Sequence, residues 1–297
     1  MSFTPRSDDP KVTVPELLSR KSLSQDGSFS TASKIVCLTA YDYPTARLVD
    51  QAGVDLILVG DSVAMAVLGY DSTLPATIDD MLHHVRAVRR GVSRALLVVD
   101  MPYGSYHISI DDAVRNALKL VKEGGAEAVK IEGGERRIEL IARLIEAEIP
   151  VMGHVGLTPQ SFHVTGGFHV QGKTAEASRQ IARDARAVET AGAFAVVLES
   201  IPRELAARVS TKLHIPTIGI GAGPDCDGQI LVFHDLLGLT AGRVPKFARH
   251  YADLSGIISQ AVGSYCNDVR GGAFPSDAES YHAPGAIRVD VETRMPR

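Results

Sequence analysis

Leu96-Leu97-Val98-Val99-Asp100 and Ala128-Val129-Lys130-Ile131-Glu132 are two short runs, each mostly aliphatic and each closed by an acid. Between them, positions 110 to 123 place Ala113, Ala117, Leu120 and Val121 on one helical face. Gly125-Ala126 follows, where a helix C-cap and a short loop into the next strand belong. Continuous apolar runs suit strands covered on both faces, which is the condition of a parallel sheet. A strand–helix–strand unit is legible here, and outward from it the pattern repeats.

Upstream lie Ile35-Val36-Cys37-Leu38-Thr39 and Leu56-Ile57-Leu58-Val59, and downstream Pro150-Val151-Met152-Gly153, Ala195-Val196-Val197-Leu198 and Thr217-Ile218-Gly219-Ile220. A weaker eighth run is Gly242-Arg243-Val244-Pro245. Positions 176 to 191 form another amphipathic helix with Ile181, Ala185 and Val188 on one side, and Gly53-Val54 and Gly192-Ala193 repeat the Gly-apolar step before a strand. Seven or eight units at about 30 residues each are the size of a βαβ repeat. The expected fold is α/β, a (β/α)8 TIM barrel, with a doubly wound open sheet as runner-up. The expected organisation is a mobile leader over 1–33 with one short helix starting at Val14-Pro15-Glu16-Leu17-Leu18, a barrel over 34–270, and an irregular tail over 271–297.

Composition agrees with a packed enzyme-sized core. Of 297 residues, 45% are hydrophobic and 22% charged, which excludes disorder for the bulk of the chain. Lys and Arg number 31 against 35 Asp and Glu, a net charge of -4, so no basic field points to nucleic acid or an anionic membrane. The most apolar stretch, 54–70, carries Asp55 and Asp61, and the first residues include Asp8 and Asp9 with no apolar run, so neither a membrane span nor a secretory signal is expected. Cys37, Cys226 and Cys266 are odd in number and widely spaced, which suggests neither a disulfide framework nor a CxxC metal site. A cytoplasmic setting is the simplest expectation.

The informative residues are those that close the runs. Asp61, Asp100, Glu132 and Glu199 fall at the ends of the second, third, fourth and sixth strands. In a barrel these ends share one face, where active sites are built. Carboxylates gathered there repel one another unless a positive charge joins them, and a hard divalent cation such as Mg²⁺ suits such oxygens. The ordinary alternative is that each acid caps the following helix or pairs at the rim; Asp61-Ser62 and Asp100-Met101-Pro102 stand where N-caps are expected. Lys130 lies two residues before Glu132, so both side chains point the same way. Lys130 is open to three roles: a charge partner for the acids, a ligand for a substrate carboxylate, or a Schiff-base nucleophile. His154, after the fifth strand, also faces the presumed site. Gly219-Ile220-Gly221-Ala222-Gly223 is either a phosphate cradle or a tight turn, and His83-His84 reads as solvent-facing or locally satisfied.

Ordered motifs extend this picture. Thr39-Ala40-Tyr41-Asp42-Tyr43, Val59-Gly60-Asp61-Ser62, Gly69-Tyr70-Asp71-Ser72-Thr73-Leu74-Pro75 and Val129-Lys130-Ile131-Glu132-Gly133-Gly134 occur in that order. Gly153-His154-Val155-Gly156-Leu157-Thr158-Pro159-Gln160, Val197-Leu198-Glu199, Asp227-Gly228-Gln229-Ile230-Leu231-Val232 and Pro245-Lys246-Phe247 complete the series. Over roughly 12–282 the chain resembles the 3-methyl-2-oxobutanoate (ketopantoate) hydroxymethyltransferase family. The resemblance implies a barrel of the phosphoenolpyruvate/pyruvate type and one Mg²⁺ per subunit. It also implies transfer of a one-carbon unit from 5,10-methylenetetrahydrofolate to 3-methyl-2-oxobutanoate, giving 2-dehydropantoate for pantothenate synthesis. By the same resemblance Asp61, Asp100 and Glu132 match the metal ligands, Asp61, Ser62, Asp100 and Lys130 the ketoacid contacts, and Glu199 the proton acceptor. A homo-oligomer, decameric in relatives, is implied as well. Two other classes stay open: another Mg²⁺-dependent enolate-forming C–C lyase on the same barrel, without folate dependence, or a non-catalytic barrel.

Overall fold

Strand side chains alternate between two environments. Leu56, Leu58, Leu96, Val98, Ala128, Met152, Ala195, Val197, Ile218 and Ile230 pack into one buried cluster, while Ile57, Val59, Leu97, Val99, Val129, Ile131, Val196 and Leu198 belong to a second. The first set fills the inside of a closed sheet and the second meets the surrounding helices, so both faces of the strands are apolar. In the computed structural model, which describes residues 10–21, 33–240, 242 and 244–284, eight strands close a parallel barrel in sequence order. They are β1 Ile35–Thr39, β2 Leu56–Val59, β3 Leu96–Asp100, β4 Ala128–Glu132, β5 Val151–Gly156, β6 Ala195–Glu199, β7 Thr217–Ile220 and β8 Gly228–Leu231.

The helices are α1 Val14–Ser19, α2 Tyr43–Gln51, α3 Val63–Ala66, α4 Ile78–Gly91, α5 Ile110–Lys122, α6 Ile138–Glu146, α7 Phe162–Thr165, α8 Ala175–Thr190, α9 Arg203–Lys212, α10 Phe233–Leu236 and α11 Leu254–Gly271. The predicted apolar faces are buried: Ala113, Ala117 and Leu120 on α5, and Ile181, Ala185 and Val188 on α8. Gly53, Gly125 and Gly192 sit at φ of +84, +77 and +99°, the left-handed backbone that lets each helix end and turn into its strand.

The eighth strand corrects the sequence expectation. It is Gly228–Leu231, not the run at 242–245, where residue 243 lies outside the described residues and the rest is loop. Gly228 and exposed Gln229 interrupt its apolar character, so it lacks a continuous hydrophobic signature. Its pairing with β1, Ile35 to Gly228 through Leu38 to Leu231, closes the sheet. The expected mobile leader is also revised over 10–21: Val12 and Leu17 are each only 1% exposed and belong to the interior cluster of the barrel. The rest of that segment, 1–9 and 22–32, lies outside the described residues, as does the tail beyond 284. Helix α1 starts at a Thr13 cap with Pro15 in its first turn, as the sequence indicates.

The chain divides into two compact units, Met1–Tyr251 and Ala252–Arg297. Among its described residues the second contains α11, capped by Asp253 and ended by Gly272 at φ +71°, and a 3-10 turn at Asp277–Glu279. Among the described residues no helix is long and apolar enough to cross a membrane.

Candidate active site

The period-two alternation of the strands carries Asp100, Lys130, Glu132, His154 and Glu199 to the interior at the C-terminal ends of β3 to β6. Register aligns them: Asp100 pairs with Lys130, Glu132 with His154, and Gly156 with Glu199. Asp61 and Ser62 come from the turn after β2. That turn runs close to β3, because a Cβ on Gly60 would stand 2.7 Å from Ser62 Oγ and 3.4 Å from Asp100 Oδ2. A larger residue there would displace the Ser62 hydroxyl from its place beside Tyr41. Asp61, Ser62, Asp100, Lys130, Glu132 and Glu199, and with them His154, thus meet at one end of the barrel.

Their contacts form a continuous chain. The Asp61 N–H donates to Asp100 Oδ2 at 3.0 Å, and Lys130 Nζ lies 3.0 Å from Asp100 Oδ1. Lys130 Nζ is also 3.1 Å from His154 Nδ1. His154 Nε2 stands 3.1 Å from Glu199 Oε2, and Nδ1 is 3.5 Å from Glu132 Oε1. Ser62 Oγ shares a 2.8 Å hydrogen bond with the Tyr41 hydroxyl. The side chains of Lys130, Asp100, Glu132 and His154 are 5% exposed or less, whereas Glu199 keeps 15%. Glu199 therefore borders the open side of the cluster.

Burial and mutual repulsion govern protonation here. Burial, then the Asp100 charge, pushes the Asp61 carboxyl up, and burial with the charge of Asp61 does the same to Glu132. Burial pushes Glu199 up to about 7 despite the nearby Lys130. Burial alone would lower Lys130, but Asp100, Glu132 and Asp61 outweigh it, and the ammonium form is favoured. Burial and the Lys130 charge hold His154 well below the usual histidine range, so the ring is neutral. An ammonium offers only donors, so His154 Nδ1 accepts from Lys130 and the ring proton sits on Nε2, beside Glu199. That Nε2 makes no aligned hydrogen bond in this arrangement.

Four carboxyl groups share one lysine ammonium, too little positive charge for all four to ionise together. Asp100 Oδ1 and Glu132 Oε1 are buried without a hydrogen-bond partner among the described residues, although Lys130 stands against the former as an ion pair. Among the described residues no three Asp, Glu, His or Cys side chains converge closely enough to enclose a metal unaided. A cation of the Mg²⁺ type does not require that, since it commonly takes one or two carboxylates and completes its shell with water and substrate oxygens. The unpartnered Glu132 Oε1, and carboxyl groups driven toward protonation by burial and mutual repulsion, fit such a cation, whose charge would take the place of those protons.

Several expectations are refined. The helix-capping role open to Asp61 and Asp100 is not used: Ser62 stands at the α3 N-cap without a side-chain cap bond, and α5 is capped by Ser109. The charged, ion-paired Lys130 is a poor nucleophile, which disfavours the Schiff-base alternative. Gly221 and Gly223 have φ of +64 and +82°, and a Cβ would collide with Phe247 and Arg203 respectively. Those glycines serve a tight, closely packed turn. His84 hydrogen bonds to the Tyr41 carbonyl and His83 is exposed. Three groups were not assigned roles from sequence: Tyr41, Tyr106 and Gln160. The last is a 7% exposed glutamine in a rim loop, and no periodicity marks such a position.

The model of the family described as ketopantoate hydroxymethyltransferase matches residues 20–277. A relative from Koribacter versatilis (strain Ellin345), named 3-methyl-2-oxobutanoate hydroxymethyltransferase, is 57% identical over 282 residues, covering 95% of this chain and 93% of its own. Relatives of the same name from Anaeromyxobacter dehalogenans (strain 2CP-1 / ATCC BAA-258) and Pelobacter propionicus (strain DSM 2379 / NBRC 103807 / OttBd1) are 51% and 52% identical. The first match covers 98% of this chain and 94% of the relative, the second 92% and 98%. Among solved structures, 2,3-dimethylmalate lyase, a PEP mutase/isocitrate lyase superfamily member, superposes with a TM-score of 0.54 at 17% identity over 90% of this chain and 91% of that one. Phosphonopyruvate hydrolase, solved with oxalate and Mg²⁺, gives 0.53 at 16% identity over 88% and 92%. At such identities the structural likeness speaks for the barrel fold alone, whereas the sequence matches speak for the family. The chain belongs to the ketopantoate hydroxymethyltransferase family and is an enzyme of the transferase class.

Proposed function

We propose that this enzyme transfers a one-carbon unit from 5,10-methylenetetrahydrofolate to C3 of 3-methyl-2-oxobutanoate, with Glu199 as the base and a Mg²⁺ ion held among Asp61, Asp100 and Glu132, directly by one or two of them and through bound water by the rest. The relatives' shared name supports the acceptor and the reaction class. The observation that carries the residue roles is the separation of two groups of carboxylates. Asp100 is ion-paired with buried Lys130 and Glu132 keeps an unpartnered Oε1, while Glu199, the more exposed acid, stands on the other side of neutral His154, 3.1 Å from its Nε2.

The chemistry follows from that separation. Lys130 offers a fixed ammonium to the substrate carboxylate, and Ser62, oriented by Tyr41, offers a hydroxyl to the same end. Glu199, with a pKa pushed up to about 7, takes the proton from C3. When bound, Mg²⁺ supplies positive charge beside the keto oxygen, which lowers the barrier to forming negative charge there. His154 keeps its Nε2 proton beside Glu199, so the base faces a donor on one side and the substrate on the other. Water adds to the methylene carbon of the folate donor and both of its C–N bonds break, so that tetrahydrofolate leaves with the protons and a formaldehyde-level carbon remains; C3 then forms a bond to that carbon, and its oxygen takes up the proton removed from C3 to become the hydroxyl. The phosphonopyruvate hydrolase neighbour, solved with oxalate and Mg²⁺, lends support to a metal-binding reading on this fold.

The test follows the C3 proton of 3-methyl-2-oxobutanoate by NMR in D₂O. Metal-dependent exchange is expected, becoming product formation when methylenetetrahydrofolate is added. Glu199→Gln should still bind the ketoacid but lose exchange by a factor on the order of 10²–10⁴, the usual worth of a positioned general base. Near-parental exchange in that variant would remove Glu199 from the role, and no exchange in the folded parent would remove the mechanism.

A further inference from the structure

Gln160 stands in the loop after β5, within the 3-10 turn Pro159–Ser161, and its backbone N–H and both polar atoms of its side chain are engaged. Its backbone N–H donates to Glu132 Oε2 at 3.0 Å. Its side-chain Nε2 donates to Asp61 Oδ2 at 2.8 Å and to the Met101 carbonyl at 2.9 Å. Its Oε1 accepts from the Tyr106 hydroxyl at 2.6 Å. Met101 follows Asp100 directly, so one residue ties the ends of β2, β3 and β4 together, each next to one acid of the cluster. The amide cannot be turned over without facing its oxygen toward a carboxylate and a carbonyl, so the network admits one orientation.

The consequence concerns which oxygen each acid presents. With Glu132 Oε2 taken by the Gln160 N–H, Oε1 is the oxygen left unpartnered. With Asp61 Oδ2 taken by the amide, that carboxylate is turned in one sense only. With Asp100 Oδ2 taken by the Asp61 N–H, Oδ1 is the oxygen turned to Lys130 Nζ, 3.0 Å away. Tyr106 is itself held, its ring lying under the Arg137 guanidinium at 4.9 Å, while Arg137 Nε donates to the Glu132 carbonyl.

We infer that Gln160 is the positioning residue of the cation site, aiming Asp61 and Glu132 and bracing the backbone that follows Asp100 so that a divalent ion meets pre-oriented oxygens, with Tyr106 locking the amide. This rests on the proposed placement of a metal at Asp61, Asp100 and Glu132. Outer partners of metal-holding carboxylates typically influence affinity by 10–100-fold.

Titration of Mn²⁺ into the full-length protein with 3-methyl-2-oxobutanoate, read as free ion by electron paramagnetic resonance, tests it. Gln160→Met keeps the length and loses the amide; its Mn²⁺ affinity should fall about 10–100-fold with native circular dichroism. Tyr106→Phe keeps the amide but frees it to turn, and should weaken Mn²⁺ by a smaller factor of about three or more. A purely structural residue would instead lower the urea midpoint and leave the affinity of the folded protein at the parental value, and that result overturns the inference. Should Gln160→Met fail to fold, Tyr106→Phe decides by the same criterion. A parent that binds no Mn²⁺ would defeat the metal placement itself, and this inference with it.

Discussion

Lys130 and Glu199 stand on either side of His154, both shifted toward holding a proton, which leaves Lys130 charged and Glu199 closer to neutral, and the neutral ring lies between them. Lys130 remains charged because three acids outweigh the penalty of burial, so it binds rather than attacks. Glu199 has only burial acting strongly on it, and its carboxyl rises from 4.5 to about 7. A base with that value is mostly protonated at pH 6, so the rate of C3 proton exchange should climb with pH and level off above about 7–8. A flat profile between pH 6 and 8 would count against Glu199. The same shift has a stability consequence of opposite sense. The folded state holds this proton more tightly than the unfolded chain, so the contribution is present below about pH 4.5 and is lost as pH rises through about 7. In Glu199→Gln the loss of urea resistance between pH 5 and pH 8 should be smaller than in the parent.

At the scale of elements, the loops on the opposite side of the barrel from the site hold strands in register through buried acids. Asp50, near the end of α2, accepts from the backbone N–H groups of Ser93, Arg94 and Ala95 and from the Ser93 hydroxyl. It thereby aligns the start of β3 against β2, which in turn sets where Asp100 arrives beside Asp61. Asp50→Ala would strand those donors in a half-buried loop and should cost about 2–4 kcal/mol, measured by urea denaturation. Loss of less than about 0.5 kcal/mol would mean that solvent replaces the carboxylate. The eighth strand illustrates the limit of reading elements from pattern. Seven strands carry an apolar run that sequence alone reveals; β8 is defined by hydrogen bonds to β1 and β7 despite a glycine and an exposed glutamine.

For the barrel unit as a whole, α1 closes the end opposite the site. Leu17 and Val12 enter the interior cluster with Ile35, Leu56, Leu96 and Phe194. The surrounding bonds anchor the segment to the strand starts: the Val12 N–H to the Arg94 carbonyl, Lys11 Nζ to the Ala95 carbonyl, and Lys21 Nζ to the Ser210 carbonyl and Asp227. Leu17→Ala leaves a cavity under the barrel and should cost about 2–4 kcal/mol in urea denaturation, with Mn²⁺ affinity unchanged because the site lies at the other end. A drop in metal affinity in that variant would show that the floor and the site are coupled.

What the sequence determined by itself was the repeating strand–helix unit, the barrel it implies, and the acids and lysine that gather at the strand ends. Period-two alternation and a fixed strand direction are local rules, and they send Lys130, Glu132 and Glu199 to the same end without knowledge of any partner. The tertiary structure decided what those rules leave free. It set the pairing that made Gly228–Leu231 the last strand and the insertion of Val12 and Leu17 into the floor. It also supplied the Gln160 and Tyr106 bonds that choose one oxygen of Glu132 over the other. Each of these depends on groups distant in sequence meeting at hydrogen-bond range, and no local pattern encodes such a meeting.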